Sequence, residues 1–361
     1  MTTSAFPLSE RILAFEKLGQ TLSAVTNVEG ANNIESGLKR AVDTFREEME
    51  RASVENSWFT QGNIHSALSS WSSALGGGKP EKWILPYRGL LENQKTTQKV
   101  AVIMAGNIPM VGFHDFICTL VAGKYFTGKL SGSDNRLLPA VSALLCQIEP
   151  RFAPMILFTD QRLIDFDAVI ATGSNNTSRY FEYYFAKYPH IIRSNRNGVA
   201  IVSGNETPDE MKALGRDICL YFGLGCRSIS KVFLPSGYNP VKLFEAIEPY
   251  SDLLFSHFKY MNNYSYQKTL LLMNLLPFLD NGAMLLVEDE GYSSPVSVIH
   301  YEFYNEIEAL KMKLGSDSDK IQCIASKIPV GLDEVRPGNT QLPELWDYAD
   351  GVDTLAFLLG L

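Results

Sequence analysis

The sequence predicts an α/β protein with a helical segment at its start and two α/β domains after it. Apolar residues recur at helical spacing from Ser9 to about Glu92, and short apolar strands with glycine-bearing turns follow Lys99. A second series of the same kind begins near Asn197. Strands that alternate with helical segments favour parallel sheets built from βαβ units. A chain of 361 residues also favours more than one core.

The composition indicates a folded protein whose partner is not a nucleic acid. Apolar residues make up 45% of the chain and charged residues 20%, which is typical of a globular protein. The net charge of −8 disfavours nucleic-acid binding, because phosphate neutralisation needs clustered lysine and arginine. No apolar stretch reaches the roughly 20 helical residues that cross a bilayer. We therefore expect no nucleic-acid partner and no membrane insertion.

The cysteines and the first residues indicate the compartment. The five cysteines are odd in number and form no CxxC pair, so they suggest neither a disulfide framework nor a zinc site. The N-terminus carries early charges and lacks the uninterrupted apolar core of a secretion signal. Both features favour a reducing, cytoplasmic setting.

The predicted elements follow one another in two series. The helical residues 9–92 are interrupted by GGGKP, and strands are predicted at 100–105, 126–131 and 167–172. The second series predicts a strand at 198–204, a helix from 208 to about 222, strands at 231–234, 282–289 and 295–303, and a helix at 305–314. The predicted domains are 1–197, the helical lead-in with a dinucleotide-binding domain; 198–325, a catalytic cysteine domain; and 326–361, a segment that returns to the cofactor domain or to an oligomer interface.

The segment GLGCRSIS, residues 223–230, is the most specific candidate site. The helical pattern ends at Gly223 and Gly225, which leaves Cys226 in a glycine-flanked turn. Arg227 follows directly, and a neighbouring cation favours the thiolate, which is the nucleophilic form. The residues support a cysteine nucleophile, with a small buried residue in a tight turn as the alternative.

Three further segments follow strands of the first α/β domain. In MAGNIPMVGF, the amide of Asn107 suits a developing oxyanion, or else it satisfies the backbone of its own turn. In KLSGSD, Lys129 and Ser131 suit ribose or phosphate oxygens, with plain solvation as the alternative. In ATGS, Gly173 and Ser174 open a helix whose N-terminus suits an anion or a pyrophosphate. Ligands of parallel sheets lie beyond the carboxyl ends of the strands, where these segments fall.

Several common signatures are absent from the sequence, among them GxGxxG, GxxxxGK(S/T), HExxH and GxSxG. A dinucleotide would therefore bind without the usual glycine fingerprint. The histidines show no paired spacing, so no metal site is predicted.

Taken in order, these segments resemble the aldehyde dehydrogenase superfamily, and within it the fatty acyl-CoA reductases of bacterial luminescence. MAGNIPMVG is similar to the asparagine-bearing turn of the superfamily, AGKYFTGKLSGSD to its cofactor strand and IATGS to its glycine–serine helix start. GLGCRSISKVFLP is similar to its catalytic cysteine segment, and SSPVSVIHYE to its late Gly-Pro-Val strand. The terminal TQLPELWDYADGVDTLAFL is similar to the acyl-CoA reductase branch. The likeness runs from about Lys99 to Leu361.

The resemblance implies an aldehyde dehydrogenase-like fold with two Rossmann-like α/β domains, and it assigns roles to the candidate residues. By that resemblance Cys226 is the nucleophile and Asn107 an oxyanion donor. Lys129 and Ser131 contact the cofactor ribose, and Gly173 and Ser174 lie near its pyrophosphate. The resemblance also implies a homo-oligomer, with a partner enzyme of acyl metabolism as a further expectation.

Three departures from the superfamily pattern refine the expected reaction. KLSG lacks the acidic residue that grips both ribose hydroxyls, which favours NADPH while leaving NADH open. NGVAIVSG has no glutamate where hydrolytic members keep the base that activates water, which disfavours carboxylate formation. The glutamate expected before the Gly-Pro-Val strand is not identified among Glu288, Asp289 and Glu290.

The sequence thus predicts NAD(P)H-dependent reduction of an acyl-CoA thioester, such as a fatty acyl-CoA, to the aldehyde through a cysteine acyl-enzyme. Two alternatives stay open: a non-catalytic or partner-dependent subunit that binds an acyl group or nucleotide, and a CoA-acylating aldehyde dehydrogenase that runs in reverse. Reduction of an acyl phosphate, or of a carboxyl group activated elsewhere, is a further alternative.

Overall fold

The computed structural model describes residues 6–26, 36–93 and 98–361, and the chain divides into two compact units. Unit 1 comprises Met1–Ser194 and Pro343–Leu361, and unit 2 comprises Asn195–Leu342. The divisions predicted from the sequence fall after residues 197 and 325. The later second division reflects residues 327–342, which continue along unit 2 after its last strand, where Gly338 and Thr340 bond the carboxylate of Asp217.

Unit 1 begins with helices, as the apolar spacing predicts. Leu8, Ile12, Phe15, Leu18 and Leu22 form the buried stripe of the first helix, at the spacing that places residues on one helical face. The helices of this segment are α1 (Leu8–Thr26), α2 (Ser36–Glu55), α3 (Gln61–Leu75), α4 (Lys79–Ile84) and α5 (Arg88–Glu92).

The sheet of unit 1 is parallel throughout, with the strand order β3-β2-β1-β4-β5. Its strands are β1 (Lys99–Ile103), β2 (Tyr125–Lys129), β3 (Ile156–Thr159), β4 (Ala168–Thr172) and β5 (His190–Arg193). The helices between them are α6 (Phe113–Val121), α7 (Leu137–Ile148) and α8 (Asn175–Phe185). The chain proceeds from β1 to one side and then from β4 to the other, so β1 and β4 flank a topological switch point. In open α/β sheets, ligands bind in the crevice at such a point.

Unit 2 is a second α/β unit, with the strand order β11-β6-β7-β10-β9-β8. Its strands are β6 (Asn197–Ile201), β7 (Ile229–Pro235), β8 (Leu279–Asp280), β9 (Leu285–Glu288), β10 (Val298–Tyr304) and β11 (Ile321–Ser326), and only the β8–β9 pair is antiparallel. Its α-helices are α9 (Pro208–Cys219), α10 (Phe244–Ile247), α11 (Ser251–Ser256), α12 (Phe258–Met273) and α13 (Ile307–Ser316).

The end of the chain belongs to unit 1, where α14 (Thr354–Leu359) packs beside α6. A buried ion pair fixes this contact: the guanidinium of Arg193 bonds the carboxylate of Asp115 at 2.6 and 2.9 Å and the hydroxyl of Thr354 at 2.9 Å. The contact joins the end of β5, helix α6 and the C-terminal helix. Loss of one partner of such a pair leaves an uncompensated buried charge, so the three elements are strongly coupled.

The structure has every strand that the sequence predicts and four that it missed, β3, β5, β8 and β11. Within residues 6–26, 36–93 and 98–361, no helix combines the length and the apolar character that a bilayer crossing requires.

Candidate active site

Cys226 occupies a tight turn immediately before β7. The carbonyl oxygen of Gly225 accepts the N–H of Ser228 at 3.0 Å, and the N–H of Gly225 donates to the Ser228 hydroxyl at 3.2 Å. Cys226 and Arg227 are therefore the two central residues of the turn. Among the five cysteines Cys226 is exposed, three others are buried and Cys146 is partly buried. A buried small residue, the alternative that the sequence left open, does not describe Cys226.

The backbone that leads into this turn adopts an unusual conformation. Tyr221, Phe222 and Gly223 have φ angles of 55°, 56° and 75°, so three consecutive residues are left-handed. The left-handed conformation costs roughly 1–2 kcal/mol for each non-glycine residue, and it persists only where the surrounding structure enforces it. The side chains of Tyr221 and Phe222 are buried, and the Phe222 ring lies 4.1 Å from that of His257. Burial thus holds a strained segment three residues before the exposed thiol, a feature that clusters at functional sites.

A close backbone approach fixes the turn from below. A Cβ atom at Gly198, in β6, would lie 2.6 Å from the carbonyl oxygen of Ser228 and 2.8 Å from that of Arg227. Cys323, the register partner of Gly198 in β11, places its Sγ 3.6 Å from the same Arg227 oxygen. Burial raises the pKa of Cys323 to about 12, so this neighbour is a neutral thiol at pH 7.

The side chain of Arg227 is engaged by the backbone: its Nε donates to the carbonyl oxygen of Thr340. The sequence assigned this cation to thiolate stabilisation, and the contact gives it a structural role in holding the turn as well. Cys226 lies at the amino end of β7. Its position therefore does not follow from the rule that ligands bind at the carboxyl ends of parallel strands.

In unit 1 the turn after β1 packs against the turn after β2. A Cβ atom at Gly106 would lie 2.5 Å from the Ser131 hydroxyl oxygen, and the N–H of Met110 donates to the carboxylate of Asp134 at 2.8 Å. Asn107 is exposed in the first of these turns. The structure therefore brings Asn107 and Ser131, which are separate in sequence, to neighbouring strand ends.

Lys129 ends β2 beside the loop that follows β3, and Ser131 lies two residues beyond the strand. The Lys129 ammonium donates to the carbonyl oxygens of Asp160 and Gln161 at 3.1 and 2.9 Å, and the Ser131 hydroxyl accepts the N–H of Ser133 at 3.2 Å. Next in this loop is Arg162, whose side chain is exposed. The sequence did not point to Arg162, because β3 was not predicted and it is β3 that places this loop beside the end of β2.

Gly173 and Ser174 join the end of β4 to α8. Ser174 is the N-cap residue, and its hydroxyl accepts the N–H of Thr177 at 3.3 Å. The N-terminus of α8 thus lies at the carboxyl end of β4, beside the end of β1 at the switch point. Helix N-termini carry partial positive charge and donate N–H groups, which suits a pyrophosphate.

The described residues offer no metal site, and the histidine and acidic residues that the sequence singled out have local partners. Residues 6–26, 36–93 and 98–361 contain no cluster of three histidine, cysteine, aspartate or glutamate side chains that would hold a metal ion. His114 is partly buried in α6, where its Nε2 lies 2.9 Å from the carbonyl oxygen of Leu345 and desolvation lowers its pKa. In unit 2, Glu288 ends β9 exposed, and the N–H of Gly291 bonds the Asp289 carboxylate at 2.6 Å.

Comparison with known proteins assigns the fold. No model of a protein family matches the sequence, and no curated protein matches it. Solved structures do match: an indole-3-acetaldehyde dehydrogenase complexed with NAD+ has a TM-score of 0.60 at 10% identity, over 88% of this chain and 72% of that one. An aldehyde dehydrogenase from Bacillus cereus in an NAD+ complex has a TM-score of 0.57 at 10% identity, over 88% and 76%.

A mutant of proline utilization A from Bradyrhizobium japonicum gives a TM-score of 0.63 at 14% identity, over 90% of this chain and 36% of that one. The chain therefore has the aldehyde dehydrogenase-like α/β fold, which confirms the fold that the sequence predicted. At these identities the likeness concerns the fold.

The close backbone approach at Gly198 predicts that adding a single methyl group there destabilises the folded protein. Gly198→Ala should lower the free energy of unfolding by about 1–3 kcal/mol, because the added Cβ meets backbone oxygen atoms that cannot move aside. Gly315→Ala is the matched control, since a Cβ there meets nothing within 4 Å. Thermal and urea unfolding of both variants measure the difference. Equal stabilities for the two alanine variants would contradict the packing argument.

Asp134 predicts a pH dependence of stability. Burial raises its pKa from 3.8 to about 6. The folded state therefore binds this proton more tightly than the unfolded state, and the free energy of unfolding falls as pH rises between these values. Asp134→Asn removes the titration and keeps an acceptor for Met110. The stability of the natural protein relative to the variant should fall by about 2 kcal/mol from pH ~4 to pH ~7, as measured by urea unfolding. A difference that does not vary with pH would contradict this.

Proposed function

We propose that this protein reduces an acyl-CoA thioester to the aldehyde with a nicotinamide cofactor, through an acyl-enzyme on Cys226. The observation that carries the proposal is the exposed Cys226 thiol in a turn that strained backbone and close packing hold in place. The fold supports it, because solved structures with this fold include aldehyde dehydrogenases complexed with NAD+. Cysteine is the most intrinsically nucleophilic of the common side chains and forms covalent acyl intermediates.

The residues around Cys226 favour a thioester substrate over hydrolytic dehydrogenation. Strand β6, which lies beside the cysteine turn, carries no acidic residue to activate water. The nearest carboxylate that follows it, Glu206, accepts the N–H groups of Ser203 and Gly204 and the Ser203 hydroxyl. Those bonds hold Glu206 near the carboxyl end of β6, whereas Cys226 lies at the amino end of the parallel β7. Thiol exchange with coenzyme A needs no water-activating base.

In the proposed reaction the Cys226 thiolate attacks the thioester carbonyl, and the tetrahedral intermediate expels coenzyme A as its thiolate. The backbone N–H of Cys226 is assigned to the oxyanion, where such a donor contributes about 3–4 kcal/mol. The resemblance to the aldehyde dehydrogenase superfamily adds the Asn107 amide as a second donor. A nicotinamide cofactor, when bound, would supply the hydride that adds to the acyl carbonyl carbon, and the resulting thiohemiacetal anion on Cys226 would break its C–S bond. Release of the aldehyde then returns the Cys226 thiolate.

The carboxyl edge of the unit 1 sheet fits a dinucleotide. Gly106 keeps the turn after β1 low against Ser131, because a side chain at this position would occupy the same space. The N-terminus of α8, with Gly173 and Ser174, is assigned to the pyrophosphate. Lys129 and Ser131 at the end of β2 are assigned to the ribose. NADPH is the proposed cofactor, because Lys129 ends β2, the cation Arg162 lies in the loop after the adjoining β3, and KLSG has no carboxylate.

Replacement of the proposed nucleophile tests the acyl-enzyme. Cys226→Ala should abolish the covalent acyl adduct that forms when the protein is incubated with a fatty acyl-CoA and no cofactor, as detected by intact-protein mass spectrometry. Cys146→Ala is the matched control, since Cys146 is the next most accessible cysteine, and it should retain the adduct. An adduct that persists on Cys226→Ala would refute the assignment.

Steady-state kinetics with both cofactors test the role of Arg162. Arg162→Ala should raise KM for NADPH by about 10-fold with little change for NADH, because a charged hydrogen bond to the 2′-phosphate contributes roughly 1.5–3 kcal/mol. Arg88→Ala replaces an exposed arginine of the helical segment and should change neither constant. A strong preference of the natural protein for NADH would defeat the proposed cofactor.

A further inference from the structure

The turn that carries Cys226 is attached to a distant segment of unit 2, residues 338–341. This segment follows the last strand and forms no regular element. It forms hydrogen bonds with Arg227 and Ser228, the two residues that follow the cysteine. The segment is itself bonded to one buried carboxylate, that of Asp217 in α9. The segment 338–341 therefore links the cysteine turn to helix α9.

Asp217 is the anchor of this arrangement. Its side chain is 1% exposed, and its carboxylate accepts the N–H of Gly338 at 2.6 Å, the N–H of Thr340 at 3.2 Å and the Thr340 hydroxyl at 2.8 Å. Burial raises the pKa of Asp217, and the three donated hydrogen bonds oppose that rise. A carboxylate with three donors fixes the segment in both position and direction.

Two bonds transmit this position to the cysteine turn. The carbonyl oxygen of Thr340 accepts from the Arg227 guanidinium, and the Gln341 amide donates to the Ser228 hydroxyl at 3.1 Å. The same Ser228 oxygen accepts the N–H of Gly225. Residues on both sides of Cys226 are thus tied to Asp217 through one intermediate segment, while Cys226 itself is exposed.

We infer that Asp217 and Thr340 are positioning residues that hold the Cys226 turn in the geometry for nucleophilic attack. The inference rests on the proposed function for its consequence in catalysis, but the reactivity of the thiol tests it without an acyl-CoA. Neither residue is assigned to substrate or cofactor. Misplacement of a nucleophile by about 1 Å costs on the order of 100-fold in rate, so loss of this support should lower reactivity more than stability alone explains.

The test compares two variants that each delete one bond from a hydroxyl to a carboxylate. Thr340→Val removes the bond to Asp217, and Tyr264→Phe removes the 2.6 Å bond to Asp280 elsewhere in unit 2. Both should lower the unfolding midpoint to a similar extent. The readout is the rate of Cys226 alkylation by iodoacetamide over a range of pH, resolved by peptide mass spectrometry because the chain has five cysteines.

We expect alkylation of Cys226 to slow by about 10-fold in Thr340→Val, to recover in Thr340→Ser and to be unchanged in Tyr264→Phe. In turnover of a fatty acyl-CoA, Thr340→Val should lower kcat with little change in KM. If Thr340→Val does not fold, Gln341→Met removes the bond to Ser228 and is expected to slow alkylation in the same way.

Alkylation at the natural rate in Thr340→Val or Gln341→Met, or equal slowing in Tyr264→Phe, would overturn the inference. Failure of the proposed function gives a different result. In that case the natural protein forms no acyl adduct, while Cys226 alkylation still depends on Thr340.

Discussion

The cysteine turn depends on one close contact between backbones. Strand β6 passes so near the carbonyl groups of Arg227 and Ser228 that only glycine fits at residue 198. This contact sets how deep the turn lies against the sheet, and Cys323 in the next strand reaches the same carbonyl group. The exposed Cys226 thiol therefore stands in a turn whose backbone is held in place by the neighbouring strand.

The backbone that leads into the turn is strained, and surrounding contacts hold it in place. The chain reaches the turn through Tyr221 and Phe222 in left-handed conformations, and the burial of both rings keeps it there. On the other side, Arg227 and Ser228 bond residues 340 and 341, which Asp217 anchors. Rigid support of this kind suits a nucleophile, because geometry contributes to rate as much as intrinsic reactivity does.

In unit 1, contacts between turns at the strand ends position the candidate cofactor residues. The parallel sheet brings the ends of β1 and β4 together at the switch point, and Asp134 ties the turn after β2 to the turn after β1. The candidate cofactor residues therefore lie on three strand ends and one helix N-terminus rather than on a single glycine-rich loop. The proposed dinucleotide site is built on this arrangement, which requires no GxGxxG loop.

Sequence alone determined the α/β class, the helical lead-in, the strands with strong apolar character and the turn that holds Cys226, because these follow from local periodicity and from glycine. It did not reveal β3, β5, β8 or β11, which are short or lie among polar residues, and so it missed Arg162. Only the tertiary structure decided that Cys226 is exposed, that Gly198 lies beneath it and that Asp217 and Thr340 support it. The contacts of Thr340 with Asp217 and Arg227 join residues more than a hundred positions apart, and Gly198 is also distant in sequence from the turn it contacts. No local pattern encodes which distant segments become neighbours.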